Sequence, residues 1–269
     1  MVRVIIAGAA GRMGRRIGYM VNEHKELTVA GGFEKPGNPE IGRDMGELGG
    51  YGTTGVKVVD DLASVIDAGD VIIDFTFHEA TMTFARLAAK HKKAMVIGTT
   101  GLSQNNLEEL ADLASDFACV QAPNMAIGVN VLFKMAHKMA AVLGNEYDIE
   151  IIEAHHRMKK DAPSGTALKL GEVVAQGVHR NFDEVGVFSR HGMIGERSDR
   201  EIGIQTIRAG DIVGEHTVLF AGPGERLEIT HRAHSRDNFA RGAAMAAAWV
   251  AKKSRGLYSM FDVLGLKDI

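Results

Sequence analysis

Residues 150–167 read Glu-Ile-Ile-Glu-Ala-His-His-Arg-Met-Lys-Lys-Asp-Ala-Pro-Ser-Gly-Thr-Ala, a stretch dense in groups that move protons or hold anions. An apolar run ends in His155 and His156. Arg157, Lys159 and Lys160 follow, then a Pro-Ser-Gly-Thr turn that opens a helix, with Ser164 placed as its N-cap. Cations therefore face a helix start, whose backbone N–H groups and positive dipole end also favour an anion. The arrangement suits a small acidic molecule held beside a proton donor. Taken singly, each histidine or lysine reads as part of a solvated basic loop; the neighbouring helix start is what argues for a shared ligand. Adjacent residues at a strand end point to opposite sides, so His155 and His156 face different ways. Asp161 is either an orienting partner for a basic side chain or an ordinary turn residue. Paired histidines also raise zinc. No His-Glu-x-x-His spacing occurs, Cys119 has no cysteine partner and no third ligand is evident, so no metal is expected.

Gly8-Ala9-Ala10-Gly11-Arg12-Met13-Gly14 brings a second kind of chemistry. These glycines lie between an apolar run and a helical pattern, where they permit a sharp turn and let backbone approach a pyrophosphate. The spacing is GxxGxxG, not GxGxxG, so the pattern alone reads as a dinucleotide turn or a plain Gly-rich connection. Glu34 favours the former: it ends the second apolar run, where a carboxylate accepts hydrogen bonds from an adenosine ribose. That carboxylate favours NADH, whereas Lys35 or Arg12 suits the additional phosphate of NADPH, and the residues leave both coenzymes open. Gly98-Thr99-Thr100-Gly101 follows another apolar run and suits a nicotinamide ribose, or is a plain connection with Ser103 as a helix cap. Ala122-Pro123-Asn124-Met125 is a hinge, a cofactor contact, or both.

These residues need a frame. Apolar runs at Val2–Ala7, Leu27–Phe33, Val56–Val59, Val71–Asp74, Ala94–Ile97 and Ala118–Gln121 read as strands. Helical patterns at Arg12–His24, from about Leu62, at Glu79–His91 and at Gln104–Ala114 fall between them, and 34–55 reads as a long loop with room for a short helix. The alternation predicts a parallel, doubly wound sheet. After Gln121 the order changes: helix over Val129–Leu143, strand Tyr147–Ala154, helix Gly165–Gln176, then strands at 202–208, 214–220 and 225–232. Short Gly-containing turns between those last three suggest antiparallel pairing. From there to its end the chain is expected to return to helix; Phe239–Lys252 is Ala-rich and apolar nearly all round, so it must be buried, and it is assigned back to the first domain. The expected class is α/β: an N-terminal Rossmann-type dinucleotide-binding domain, 1–126 plus 237–269, and an α+β substrate and oligomerisation domain with a mixed sheet, 127–236. A ligand crevice is expected between them, outside the carboxyl ends of the parallel strands.

The 269 residues allow one large domain or two modest ones. Hydrophobic residues make up 45% and charged residues 24%, ordinary for a globular enzyme. A net charge of −3 supplies no global basic field for nucleic acid or anionic lipid. The single cysteine excludes an internal disulfide framework and fits a reducing cytosol. Met1–Ala7 is too short an apolar run for a signal peptide, and no run approaches the ~20 residues of a membrane helix. A cytoplasmic location is expected.

The run E-I-x-E-x-H-H-x-x-K-x-D-A-P-S-G-T-A at 150–167 resembles the signature of the dihydrodipicolinate reductase (4-hydroxy-tetrahydrodipicolinate reductase) family. The likeness extends over nearly the whole chain. It takes in the Ala7-Gly-Ala-Ala-Gly-Arg-Met-Gly14 start, the Gly98–Gly101 loop, Arg208-Ala-Gly-Asp-Ile-Val-Gly-Glu-His216 and Glu225-Arg-Leu-Glu-Ile-Thr-His231. The resemblance implies reduction, by NADH or NADPH, of a cyclic dicarboxylate made from pyruvate and aspartate semialdehyde, on the way to diaminopimelate and lysine. It implies His155 as proton donor or acceptor, Lys159 as a second catalytic acid, and His156, Gly165 and Thr166 as substrate contacts; the reading of the residues adds Lys159 and Ser164 to that substrate set. Gly8–Met13, Glu34, Gly98–Thr100 and Ala122–Met125 are implied cofactor contacts. Lys35 stands where relatives often carry arginine. A homotetramer through the sheet of the second domain is also implied. Two other readings fit the residues less well. An aspartate semialdehyde dehydrogenase needs a cysteine nucleophile beside a base, and Cys119 lies inside an apolar strand. A non-catalytic redox sensor would keep the glycine turn but has no need of the basic groups at 155–160.

Overall fold

The structure, a computed structural model, describes residues 1–267. In chain order the elements are β1 (Val2–Ala7), α1 (Arg12–Glu23), β2 (Leu27–Phe33), α2 (Met45–Gly49), β3 (Val58–Val59), β4 (Val71–Asp74), α3 (His78–Lys90), β5 (Ala94–Ile97), α4 (Gln104–Leu113) and β6 (Ala118–Gln121). There follow α5 (Ile127–Leu143), β7 (Asp148–His155), α6 (Gly165–Gly177), α7 (Phe182–Val185), β8 (Gly186–Val187), β9 (Ile202–Arg208), β10 (Gly214–Gly222) and β11 (Glu225–Ala233). Last come α8 (Asp237–Val250), β12 (Gly256–Tyr258) and α9 (Met260–Val263). The described chain forms two units: Met1–Ile127 together with 236–267, and Gly128–Ser235.

The first unit is built on a seven-stranded sheet in the order β12-β6-β5-β4-β1-β2-β3, and its pairings are parallel. Its inner strands are apolar at successive positions because both faces are covered. Val4, Ile6, Val71, Ile73 and Val96 pack with Ile17 and Val21 of α1 and the alanines of α8. Ile5, Ile72, Met95 and Ile97 pack with Met82, Ala85 and Ala88 of α3 and Leu110 of α4. Burying each large aliphatic side chain contributes about 1.5–3 kcal/mol. Small residues let α8 approach its neighbours: Ala240, Ala243, Ala244, Ala246 and Ala247 are buried, and a Cβ on Gly242 would lie 1.8 Å from the Met125 carbonyl oxygen.

Two expectations fail in this unit. The pattern from Leu62 yields a single 3-10 turn, Ile66–Ala68. The chain must then return at once to β4, and Gly69 passes so close to Ile5 that a Cβ there would lie 2.5 Å from it. The tail after α8 is not all helical either, since β12 adds an edge strand beside β6.

The second unit carries a five-stranded sheet in the order β11-β10-β7-β9-β8. β10 is antiparallel to both β7 and β11, as expected for its hairpin with β11. The expectation for 202–208 fails: β9 does not pair with β10 but runs parallel to β7. β7 lies between β9 and β10, so the link 209–213 must cross the end of β7, two strand spacings or about 10 Å. It is held there by the Ala209 amide on the His155 carbonyl, 2.9 Å, and the Arg157 amide on the Gly210 carbonyl, 3.1 Å. One face of the sheet is covered by α6, which packs across β7, β9 and β10. Among the described residues no helix is long and apolar enough to cross a membrane.

Candidate active site

In the first unit the expected cofactor residues lie at the carboxyl ends of neighbouring parallel strands: Gly8–Met13 after β1, Glu34 and Lys35 after β2, Gly98–Thr100 after β5, Ala122–Met125 after β6. Gly8 has φ +64°, a left-handed conformation that glycine adopts without strain. A Cβ on Gly14 would lie 2.1 Å from the Gly8 carbonyl oxygen, so the turn closes only with glycine there. Gly11 caps α1 without a side-chain hydrogen bond to the first turn. Glu34 accepts the Ala10 amide through Oε1 at 3.0 Å and so ties the turn to β2. Between the β1 and β5 loops, Phe75 and Thr76 touch both: Phe75 packs on Gly98, and the Thr76 methyl lies 3.0 Å from where a Gly8 Cβ would stand. Asp74 anchors this segment from within, accepting from the Thr76 amide at 2.9 Å, the Thr76 hydroxyl at 2.6 Å and the Thr81 hydroxyl at 2.5 Å. Arg12, Met13, Phe75, Arg236 and Phe239 line a recess beside the turn. Glycines that admit close backbone approach, a helix start and a carboxylate at the end of β2 together fit a dinucleotide.

In the second unit the expected catalytic groups gather at the carboxyl end of β7. Residues two apart on a strand share a face, so Glu153 and His155 look the same way. His155 pairs in register with Arg208 on β9, and Glu153 with His216 on β10. The crossover link is what brings Arg208 and His216 to either side of one strand end. The fully buried Glu153 carboxylate then collects donors from all around. Arg208 binds it with two nitrogens at 2.8 Å each, His155 Nδ1 lies at 2.5 Å, and the Ser164 amide donates at 3.0 Å. The Thr206 hydroxyl adds a longer bond at 3.3 Å.

Ser164 behaves as its type predicts: its hydroxyl accepts the Ala167 amide at 3.2 Å and caps α6. The same hydroxyl lies 3.0 Å from Nε2 of His216. A Cβ on Gly165 would meet nothing, so the first turn of α6 opens to free space on that side. Lys159 Nζ donates to both oxygens of Asp161, at 2.9 and 2.8 Å, so Asp161 does orient a basic side chain. Arg208 also reaches this loop, donating to the Asp161 carbonyl at 2.6 Å.

The electrostatics follow from burial and pairing. Burial alone would raise the Glu153 carboxyl, but the Arg208 and His155 hydrogen bonds outweigh it and hold the group at about 2. Burial pushes His155 below its ordinary value; Glu153 opposes this, and the nearby charges of Lys159 and Arg208 add to it. Burial pushes His216 down to about 3, with the charge of His155 adding to the fall. The lowering favours the neutral imidazole of His155 near neutral pH.

Sequence reasoning assigned no role to Glu153, Arg208 or His216. Glu153 was within reach: a carboxylate two residues before a histidine on a strand shares its face. Arg208 and His216 were not, because their placement depends on β9 pairing with β7 rather than with β10.

Residues 2–125 match the family model described as dihydrodipicolinate reductase, N-terminus, and residues 128–264 match dihydrodipicolinate reductase, C-terminus. The 4-hydroxy-tetrahydrodipicolinate reductase of Desulfotalea psychrophila is 66% identical over 269 residues, covering 100% of both chains. That of Syntrophobacter fumaroxidans is 56% identical, covering 99% of this chain and 100% of the relative. Among solved structures, the dipicolinate-bound dihydrodipicolinate reductase from Paenisporosarcina sp. TG-14 superposes with a TM-score of 0.75 at 25% identity, covering 97% of this chain and 98% of the other.

Proposed function

The chain belongs to the dihydrodipicolinate reductase family and is an oxidoreductase of lysine and diaminopimelate biosynthesis that reduces 4-hydroxy-tetrahydrodipicolinate, and from that premise we propose how its residues divide the work. The family's reductase activity implies a nicotinamide coenzyme. Gly8–Met13 and the start of α1 hold its pyrophosphate, Glu34 its adenosine ribose, and the Gly98–Thr100 loop and Ala122–Met125 its nicotinamide half. Either NADH or NADPH is accepted: Glu34 serves the ribose hydroxyls, and Lys35 or Arg12 pairs with the additional phosphate. When bound, the reduced nicotinamide supplies a hydride.

The residues around β7 hold the substrate and manage the proton. The cyclic dicarboxylate binds with its carboxylates against Lys159 and the first turn of α6, at Ser164, Gly165 and Thr166, with His156 beside it. The 4-hydroxyl is lost as water overall, and hydride addition leaves negative charge on the conjugated ring. His155, cationic once protonated, stabilises that charge and delivers a proton, with Lys159 as the second acid. A positioned acid of this kind is worth roughly 10²–10⁴-fold. The observation that carries this reading is the convergence of His155, Lys159 and the α6 N-terminus on one strand end.

The test is a coupled assay: the condensation product is made freshly in the cuvette and oxidation of each coenzyme is followed by absorbance. Turnover with both coenzymes is expected. In Glu34→Ala, NADH is expected to weaken about tenfold relative to NADPH, from loss of charge-assisted hydrogen bonds; an unaltered ratio removes Glu34 from the ribose. For the assembly we propose a homotetramer that uses the sheet face opposite Glu153, where Ile152 and Ile207 stand exposed. Sedimentation at equilibrium measures its mass. The enzyme acts in the cytoplasm, consistent with its one buried cysteine.

A further inference from the structure

Glu153 touches His155 but lies fully buried behind it, and the family's reaction gives it no task of its own. We propose that Glu153, clamped by Arg208, is a positioning residue that fixes the tautomer of His155, so that Nδ1 stays protonated and Nε2 alone gains and loses the catalytic proton. The inference rests on the reading of His155 as the acid.

The geometry carries it in three steps. First, an ionised carboxylate only accepts hydrogen bonds, so the 2.5 Å contact from His155 Nδ1 to Glu153 requires a proton on Nδ1. Neutral His155 then has its lone pair on Nε2. Second, the carboxylate has one orientation, because Arg208 binds both oxygens at 2.8 Å and the Ser164 amide fixes Oε1 at 3.0 Å. A bidentate guanidinium holds a carboxylate plane as well as its charge. Third, Nε2 lies beside Gly214, where an added Cβ would stand only 3.1 Å away. Glycine at that position leaves Nε2 the room it needs.

Arg208 extends the arrangement to the second acid. One guanidinium binds Glu153 and the Asp161 carbonyl, while the Asp161 carboxylate holds Lys159. The strand end bearing His155 and the loop bearing Lys159 are therefore tied to a single cation. The charged and titratable groups facing His155 are Glu153 on its own strand, Arg208 on β9, His216 on β10, whose ring meets it edge-on at 5.1 Å, and Lys159 in the following loop. Of these only Glu153 favours the imidazolium, so its removal leaves His155 among cations and a neutral ring.

The test reads tautomer and protonation directly. In the full chain labelled with ¹⁵N-histidine, the ring nitrogens of His155, identified by their absence from H155Q, are expected to show the Nδ1–H form when neutral. In E153Q that form gives way to a mixture. The limb of the kcat/KM profile that reports His155 moves to lower pH by about one unit or more, as expected for losing an opposite charge in contact. In the same variant kcat falls at least tenfold while KM for the dicarboxylate changes little. E153D, which keeps the charge, holds the limb near its wild-type position. An Nε2–H tautomer in the wild type overturns the proposal, and it does so even if E153Q fails to fold. A loss of turnover in E153Q with the limb unmoved overturns it as well. Undiminished turnover in H155A removes the acid itself, a failure of the underlying reading that the tautomer measurement keeps distinct.

Discussion

Asp74 and Glu153 are both fully buried carboxylates at or near the carboxyl end of a central strand, one in each unit. Their surroundings differ in kind. Asp74 accepts from hydroxyls and one backbone amide, all neutral, and burial raises its pKa despite those bonds. Glu153 accepts from a guanidinium, an imidazole and an amide, and is held down at about 2. The contrast extends to what each site presents. The first unit offers backbone: a glycine turn, a helix start, and a carboxylate that braces the loops. The second offers ionised side chains locked by one another. A site built largely from backbone dipoles depends less on pH than one built from ionised side chains.

The sharpest break between the two comes from removing the acids. His155→Ala and Lys159→Ala are each expected to lower kcat by roughly 10²–10⁴-fold, with NADH affinity by titration calorimetry unchanged. Turnover near wild type in both would end the idea that the second unit supplies the proton. The converse variant is Gly14→Ala. Its Cβ would lie 2.1 Å from the Gly8 carbonyl and 2.8 Å from the Ala9 Cα, and neither backbone atom can step aside cheaply. A loss of about 1–3 kcal/mol or more in denaturant unfolding is expected, together with lost coenzyme binding; a normal midpoint and normal affinity would show that the turn is looser than described.

A third measurement compares pH slopes. His216 sits at about 3 in the fold against 6.5 for a free imidazole. Below pH 6.5 the unfolded chain therefore binds a proton that the native chain does not. The stability this group contributes is complete above 6.5 and is lost as pH falls toward 3, at up to about 1.4 kcal/mol per pH unit. Glu153 loses its contribution in the same direction, from 4.5 down through about 2. His216→Gln is expected to flatten the slope between 6.5 and 3 in thermal unfolding; an unchanged slope would place the acid sensitivity elsewhere. The smallest effect is expected at Asp74, whose sign is opposite. Its raised pKa means the charged form is penalised, a cost relieved as pH falls through the folded value. Asp74→Asn keeps an oxygen for the Thr76 amide, and its amide can donate to the Thr81 hydroxyl. Unfolding above neutral pH is expected to shift by less than about 1 kcal/mol, toward greater stability; a large destabilisation would mean that the charge itself is required.

How much of this was legible in the chain depends on how local the cause is. β1, β4, β5 and β6 could be read because a strand buried on both faces is apolar at most successive positions. The glycine turn could be read because steric exclusion acts within a few residues. The pattern from Leu62 misled because its helical spacing is real but the chain between β3 and β4 has no length to continue it. The end of β7 was half legible: His155, Lys159 and Ser164 lie in one run, and Glu153 shares their strand. Arg208 and His216 join them only through a crossover over β7, and nothing in their local spacing distinguishes that from a hairpin.

The buried alanine helix α8 and the edge strand β12 have a consequence for the order in which this protein is made. β12 completes the sheet that opens with β1 and α8 covers one face of it, yet both are translated after the whole of 128–235. While the ribosome is still working, the earlier half of the dinucleotide fold waits with one apolar flank uncovered, and the inserted unit is the first to own all its strands. The inserted unit can be finished before its host, whose apolar sheet face keeps its exposure until the last residues emerge.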